Sequence, residues 1–168
     1  MMNIGREPTE EADDCAPVEM LAQLFEAHGW PCEFVNDDEI CGEIQGSWAT
    51  YQVRGIWRSE DNVLQLLCLP EIRVPDAKRK AAYELLALVN EQLWLGHFDL
   101  WKEDGMLLYR HGLLLAGAHT HAGQCEALIK GALESCERYY QAFQFVLWAG
   151  KPAEDALAAI MIDTQGHA

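Results

Sequence analysis

The sequence predicts an α+β protein in which an antiparallel β-sheet packs against helices. Two observations lead to this fold class. The apolar residues recur about every 3.6 positions in some stretches and about every 2 positions in the stretches between them. Short polar turns join neighbouring predicted strands directly, which is typical of antiparallel pairs. A chain of 168 residues is long enough to bury the core of one such domain.

The predicted order is α-β-β-β-α-β-β-α with a short extra C-terminal helix, and the first group contains three or four strands. We interpret residues 1–16 as a disordered acidic tail, residues 17–162 as a single α+β domain and residues 163–168 as a C-terminal tail. No internal repeat and no linker-like stretch divides the domain.

The first predicted helix begins at Pro17, because proline suits the first helical position. Gly29 ends it. Its apolar stripe has the spacing i, i+3, i+4 and i+7 and consists of Val18, Leu21, Ala22 and Phe25.

Alternating stretches follow, and we predict strands at 32–35, 40–45, 48–58 and 63–69. The third strand alternates most clearly, and the residues on one of its faces are Tyr51, Val53, Gly55 and Trp57. The fourth is apolar on both faces, which predicts a central strand covered from both sides.

The second helix is predicted to begin at Pro75 and to end at Gly96. Its apolar stripe consists of Ala82, Leu85, Leu86, Val89 and Leu93. Asp104-Gly105 then predicts a hairpin with a type I′ turn, in which both central residues have positive φ. The hairpin strands are placed at 97–101 and 106–115.

A long third helix follows Thr120, which we interpret as its N-cap. Its predicted apolar face consists of Cys125, Leu128, Ile129, Ala132, Leu133, Cys136, Tyr140, Phe143 and Leu147. The last turns, residues 143–148, are apolar nearly all round, which is typical of a helix end buried in the domain or against another chain. A short final helix is predicted over 153–161.

The formal net charge is −15, from 27 acidic and 12 basic side chains. Residues 1–43 carry 12 of the acids and a single base, Arg6. Such a polyanionic region repels phosphates, so we expect no nucleic-acid partner and no membrane partner. The region is either a solubilising tail or an acidic arm that shields a surface or meets a basic partner. With neither a secretory signal nor a membrane-length apolar run, a cytoplasmic location is expected.

The most suggestive metal-like pattern is His119-Thr120-His121 followed by Cys125. This spacing could bring three nitrogen and sulfur ligands together, as zinc requires. No fourth ligand recurs nearby, and Cys125 fits the buried stripe of the third helix. A small metal- or thiol-dependent enzyme using these three residues is therefore the alternative hypothesis.

A nucleophilic pair is the second catalytic pattern considered, with His28, His97 or His111 beside Cys41 or Cys68. Both cysteines lie in apolar strand segments of an acidic chain, whereas a reactive thiol needs an electropositive, partly exposed setting. The six cysteines are scattered with no C-x-x-C pair, which favours reduced thiols. No nucleotide-binding or hydrolase motif is present. We expect no enzyme activity and no cofactor.

Three segments, residues 85–101, 105–115 and 132–159, resemble the YbjN family of bacterial proteins, which are sometimes labelled sensory transduction regulators. The resemblance rests on Asn90-Glu91, the corner at Gly96, and the helix end at 139–150 followed by Pro152. It implies a fold similar to that of type III secretion chaperones, a homodimer, and a chaperone-like binding role in stress or motility regulation. It supplies no catalytic residues.

The expected function is therefore that of a non-enzymatic, protein-binding regulator whose partners are a second copy of itself and an unidentified protein. Its possible binding or dimer surface is expected among aromatic and apolar residues, with Arg54, Arg58 and Arg110 at the rim of a groove. The candidate surface residues are Phe143, Phe145, Val146, Trp148, Trp57 and Trp101.

Overall fold

A computed structural model describes residues 15–165, and their side chains as far as Ile162. Residues 1–14 of the predicted acidic tail and residues 166–168 lie outside the described residues. Ten main elements follow one another in order: α1 (Pro17–His28), β1 (Cys32–Asn36), β2 (Glu39–Gln45), β3 (Thr50–Arg58), β4 (Val63–Leu69), α2 (Arg79–Gln92), β5 (His97–Leu100), β6 (Leu107–Leu114), α3 (Ala122–Leu147) and α4 (Ala153–Gln165).

The six strands form one sheet in the order β1-β2-β3-β4-β6-β5, and every neighbouring pair is antiparallel. The predicted α+β class, with an antiparallel sheet packed against helices, is confirmed. Four strands precede α2. After β4, helix α2 carries the chain past the position that β6 later occupies, so β5 is an outer strand of the sheet. The other outer strand is β1.

The helices share one core with one face of the sheet. Helix α1 packs on β1, β2 and β3, α3 on β4 and β6, and α2 on β5, while α4 lies against α3 and α2. Helix α1 comes close to the strands because two glycines lie under it. A Cβ atom on Gly42 would be 2.9 Å from the Phe25 ring, and one on Gly55 would be 2.3 Å from Leu21 Cδ1.

The opposite face of the sheet carries a smaller apolar cluster. Its buried members are Leu67, Leu69 and Leu108, and Ile56, Trp101 and Met106 pack around them. Both faces of β4 are therefore covered, in agreement with the apolar pattern of residues 63–69.

Helix α2 differs from the prediction at both ends. A 3₁₀ turn, Asp76–Lys78, precedes it, so the α-helix begins at Arg79 rather than at Pro75. It ends at Gln92, because Leu93 is already extended (φ −87°, ψ 127°), and the predicted stop at Gly96 is wrong. Gly96 lies in the loop to β5 with φ +69°.

The hairpin at Asp104-Gly105 is present, but the predicted type I′ turn is wrong. Only Gly105 has positive φ, at +71°, whereas Asp104 does not. Trp101 N–H donates to Met106 O at 2.9 Å, so four residues form the loop. The Asp104 carboxylate accepts the Met106 N–H at 3.0 Å, which stabilises this wider turn.

Helix α3 begins one residue later than predicted, with His121 instead of Thr120 at the N-cap. Thr120 is buried, and its hydroxyl lies 3.5 Å from Cys125 Sγ. Because this contact engages the Thr120 hydroxyl, the hydroxyl does not cap the helix. Tyr139 is buried on α3 where the pattern favoured Tyr140, which is half-buried. Helix α4 continues to Gln165, past the predicted end of its helix.

Candidate functional site: a groove along helix α3

A groove runs along the outer side of α3 and consists of two adjoining hollows that share Trp30 and Leu133. The larger has a volume of about 1120 Å³ and lies between α3, the β2–β3 turn and Ile160 of α4. The smaller, of about 220 Å³, lies between α1 and α3. From Glu126 to Gln141 the groove follows α3 for roughly 22 Å, at 1.5 Å per residue.

Trp30 lies where the two hollows meet, and its position follows from how α1 ends. Gly29 adopts the left-handed conformation (φ 72°), and the Trp30 N–H donates to Phe25 O at 2.9 Å. The indole stacks on the His28 ring, with centroids 4.2 Å apart, and meets the Phe25 ring edge-on at 6.0 Å. Trp30 is thus a rigid, half-buried aromatic surface.

The β2–β3 turn forms the other end of the groove and is tied to α3 by a carboxylate. Glu137 Oε1 accepts the Ser47 N–H at 2.5 Å. Within the turn, Gly46 N–H donates to Ala49 O at 2.8 Å, and the Thr50 hydroxyl donates to Gln45 Oε1 at 2.6 Å. Trp48 projects from this turn, stacks parallel to the Tyr140 ring at 6.5 Å and is 47% exposed.

Two buried polar atoms beneath this turn, the Tyr51 hydroxyl and Glu137 Oε2, have no hydrogen-bond partner among the residues that the structure describes. Tyr51 is fully buried. Burial, and secondarily the Glu137 carboxylate, raises the pKa of Tyr51 far above its ordinary value. The tyrosine therefore stays neutral, and its hydroxyl is available as a donor.

The groove lining carries side chains of both charges, three acidic and two basic. Its charged side chains are Glu126, Lys130, Glu134, Glu137 and Arg138. His28 Nε2 lies 3.2 Å from Glu126 Oε1, and Lys130 Nζ lies 3.9 Å from Glu134 Oε1. Aromatic side chains flanked by charged groups suit the recognition of a polypeptide.

The six candidate surface residues do not form one patch. Phe143 and Val146 are buried in the main core, where Phe143 packs against Phe98 with centroids 5.5 Å apart. Phe145 is half-buried under the Lys151 ammonium, at 4.7 Å, and Trp148 is 64% exposed at the end of α3.

The two strand tryptophans of that set lie on opposite faces of the sheet. Trp57 packs against the main core on the helix side, and Trp101 against the smaller cluster on the other. The three rim arginines have separate carboxylate partners: Arg54 bonds to Glu39, Arg58 Nε lies 3.0 Å from Asp61, and Arg110 lies 3.5 Å from Asp99.

Sequence reasoning missed the groove itself. Trp30 belongs to no apolar pattern in the sequence. Ser47 and Glu137, which lie on the two walls of the groove, are 90 residues apart, and only the packing of α3 on the sheet brings these walls together. The adjacency of Gly29, Trp30 and Pro31 was the one local signal, because an aromatic residue between two helix-breaking residues is held outside the helix.

The structure separates the metal-like pattern. His119 and His121 are exposed, whereas Cys125 is fully buried. Burial raises the pKa of the Cys125 thiol, although its bond to Thr120 partly opposes this. Among residues 15–165, no group of three or more His, Cys, Asp or Glu side chains is placed to hold a metal ion.

The histidine–cysteine pairs are likewise unsuited to nucleophilic catalysis. Cys41 and His97 lie on strands four steps apart in the sheet, or roughly 19 Å at 4.8 Å per step. Cys68 is fully buried. Its hydrogen bond to Cys136, followed by burial, raises the pKa of Cys136. Burial lowers the pKa of His111.

Comparison with known proteins identifies the family. The profile of the YbjN family, described as "Putative bacterial sensory transduction regulator", matches residues 17–145. The chain belongs to the YbjN family. The match covers α1, the whole sheet, α2 and most of α3, and so includes both walls of the groove that these elements form.

A solved YbjN structure has a similar fold. The crystal structure of YbjN from E. coli, described as "a putative transcription regulator", matches with a TM-score of 0.50 and 15% sequence identity. The match covers 71% of this chain and 85% of the E. coli chain. No curated protein matches the chain significantly. Between residues 15 and 165, no helix is both long and apolar enough to span a membrane.

Proposed function

We propose that this YbjN-family protein is a non-enzymatic regulator that binds other polypeptides in a chaperone-like manner. The observation that carries the proposal is the groove along α3, where Trp30 and Trp48 flank a lining of mixed charge. Tryptophan is enriched among the residues that dominate binding energy at protein interfaces, because it buries a large area at low entropic cost.

We place its action on protein partners in the cytoplasm, in the stress or motility regulation that the family resemblance implies. A net charge of −15 opposes direct contact with nucleic-acid phosphates. The regulatory description of the family is consistent with an effect exerted through other proteins.

Comparative affinity capture tests the binding role. The intact protein and the Trp48→Ala variant are used to capture partners from the native host, with Trp94→Ala as the matched control. Trp94 is 99% exposed on the α2–β5 loop and lines neither hollow of the groove. We expect Trp48→Ala to lose partners that Trp94→Ala retains. Identical partner sets for all three proteins would refute a role for the groove.

We further propose that the protein is a homodimer joined through the end of α3, where the exposed Trp148 lies next to the half-buried Phe145. Light scattering should give twice the monomer mass for the intact protein and the monomer mass for Trp148→Asp. Trp94→Asp, which puts the same charge in place of another exposed tryptophan, should remain a dimer. A monomer at every micromolar concentration would refute dimerisation.

A further inference from the structure

The outer edge of β1 presents backbone groups that the sheet does not use. Glu43 N–H donates to Pro31 O at 2.9 Å. Since antiparallel pairs alternate along a ladder, Pro31 and Glu33 direct their backbone groups towards β2. Cys32 and Phe34 therefore direct theirs outward, and outside the β1–β2 ladder no backbone hydrogen bond from the described part of the chain reaches the Phe34 N–H or C=O.

The same strand exposes two large apolar side chains. Phe34 is 51% exposed and Val35 is 57% exposed, and as neighbours on a strand they point to opposite faces of the sheet. The register shifts between Phe34 and Asn36, which marks a bulge at the end of the strand. An outer strand with open backbone groups and exposed apolar residues is a template for an added strand.

The charge around this edge indicates what kind of segment would bind. No Lys or Arg occurs between Arg6 and Arg54. The acids on or beside β1 are Glu33, Asp37, Asp38, Glu39 and Glu43. Among the described residues Glu39 is paired with Arg54, whereas the other four form no ion pair. A second copy paired on β1 would bring the same acids together, whereas a basic segment would neutralise them.

We propose that β1 binds an extended segment of a partner protein in which basic and apolar side chains alternate, and adds it to the sheet as a further strand. Side chains on one face of the added strand would lie beside Phe34, and those on the other beside Glu33. This inference rests on the proposed protein-binding function and gives it a second, chemically defined contact.

The test uses a fluorescein-labelled peptide of ten residues in which lysine and valine alternate, with the glutamate–valine peptide as control. Fluorescence anisotropy at 150 mM salt should show binding of the lysine peptide only. Phe34→Pro removes the outward N–H, which proline tolerates at a sheet edge, and should weaken binding at least tenfold. Phe34→Ala keeps that N–H and should weaken it less.

Glu33→Lys is the second variant. It leaves the backbone hydrogen-bonding groups of β1 intact, and it tests the proposal even if Phe34→Pro fails to fold. It should lower affinity for the lysine peptide. Hydrogen exchange should slow at Cys32 and Phe34 when the peptide binds to the intact protein. Equal affinity for intact protein and Glu33→Lys, or protection along α3 instead, would overturn the proposal.

Protection of Phe34 without peptide, together with a doubled mass that persists in Trp148→Asp, would instead assign the edge to a second copy. The two proposals can fail separately: if Trp48→Ala loses natural partners while no variant at Phe34 or Glu33 changes peptide binding, only the edge inference is wrong.

Discussion

The side-chain amide of Asn90 pairs with both backbone groups of Phe98, as a neighbouring strand would. Phe98 N–H donates to Asn90 Oδ1 at 2.8 Å, and Asn90 Nδ2 donates to Phe98 O at 3.0 Å. Phe98 lies opposite Tyr109 of β6 on the outer strand β5. Because both of its backbone groups bond to Asn90, they point away from β6. Asn90 of α2 thus occupies the outward backbone groups of Phe98 on β5. On β1, at the other edge of the sheet, the outward backbone groups of Phe34 have no such partner among the described residues.

Asn90→Ala should destabilise the fold by about 1–3 kcal/mol, because it leaves a part-buried N–H and C=O without partners. The free energy of unfolding from urea titration is the measurement. Glu91→Ala is the control, since it truncates the exposed neighbouring side chain of α2 and leaves the Asn90–Phe98 pair intact, and it should change the free energy of unfolding by less than about 0.5 kcal/mol. A loss below about 0.5 kcal/mol for Asn90→Ala would show that the pair contributes little.

Gly46→Ala should destabilise the protein by about 1–3 kcal/mol through overpacking. The added Cβ would lie 1.9 Å from Glu137 Oε1 and 2.3 Å from Cε2 of the buried Tyr51 ring. Gly131→Ala is the matched control within α3, where an added Cβ would meet no described atom within 4 Å apart from its chain neighbours and the backbone of its own helix. It should stabilise the helix by roughly 0.5–1 kcal/mol, and thermal unfolding of both variants measures the contrast. Equal effects would contradict the described packing of the turn.

Stability should fall as pH rises above 10, the ordinary pKa of tyrosine, because Tyr51 loses its proton in the unfolded chain first. Burial raises the folded-state pKa, so the unfolded state binds fewer protons in that range and unfolding is favoured. The contribution of one group approaches about 1.4 kcal/mol per pH unit. Urea titrations between pH 9 and 11 should show a shallower decline for Tyr51→Phe, and equal slopes would contradict this.

Thiol titration should separate the cysteines into two groups. Cys68, Cys125 and Cys136 are buried, whereas Cys15, Cys32 and Cys41 are half-buried. We expect only the second group to react with an aromatic disulfide reagent in the native protein, and all six thiols to react in denaturant. Fast native reaction at Cys125 would revive the thiol-dependent alternative.

Much of the fold could be predicted from local patterns. The apolar stripe of α1 and the alternating pattern of β3 each predict which face of the element is buried, and both predictions match the structure. They succeed because each pattern depends on residues within one element. The failures lie where one element meets another. α2 ends before Gly96 because its end is shaped by the contact between Asn90 and Phe98, which no helical pattern contains.

The candidate sites were harder to predict, since their parts are distant in the chain. Phe143 and Val146 share an apolar helix end with Trp148, and apolarity alone could not indicate that the first two enter the core. The groove depends on Trp30, Trp48 and α3 meeting in space. The open edge depends on the register of β1, which sets the direction of the Phe34 backbone.

The closed edge at Asn90 limits how far an assembly can grow. A chain with two open edges can be an interior link in a fibre, because it accepts one neighbour on each side. Within residues 15–165 the sheet has one open edge, β1, so the proposed strand addition ends after one event and has a stoichiometry of one segment per molecule. Because Asn90 occupies the backbone groups of Phe98, no strand can be added at β5, and molecules that pair through β1 cannot continue into a fibre.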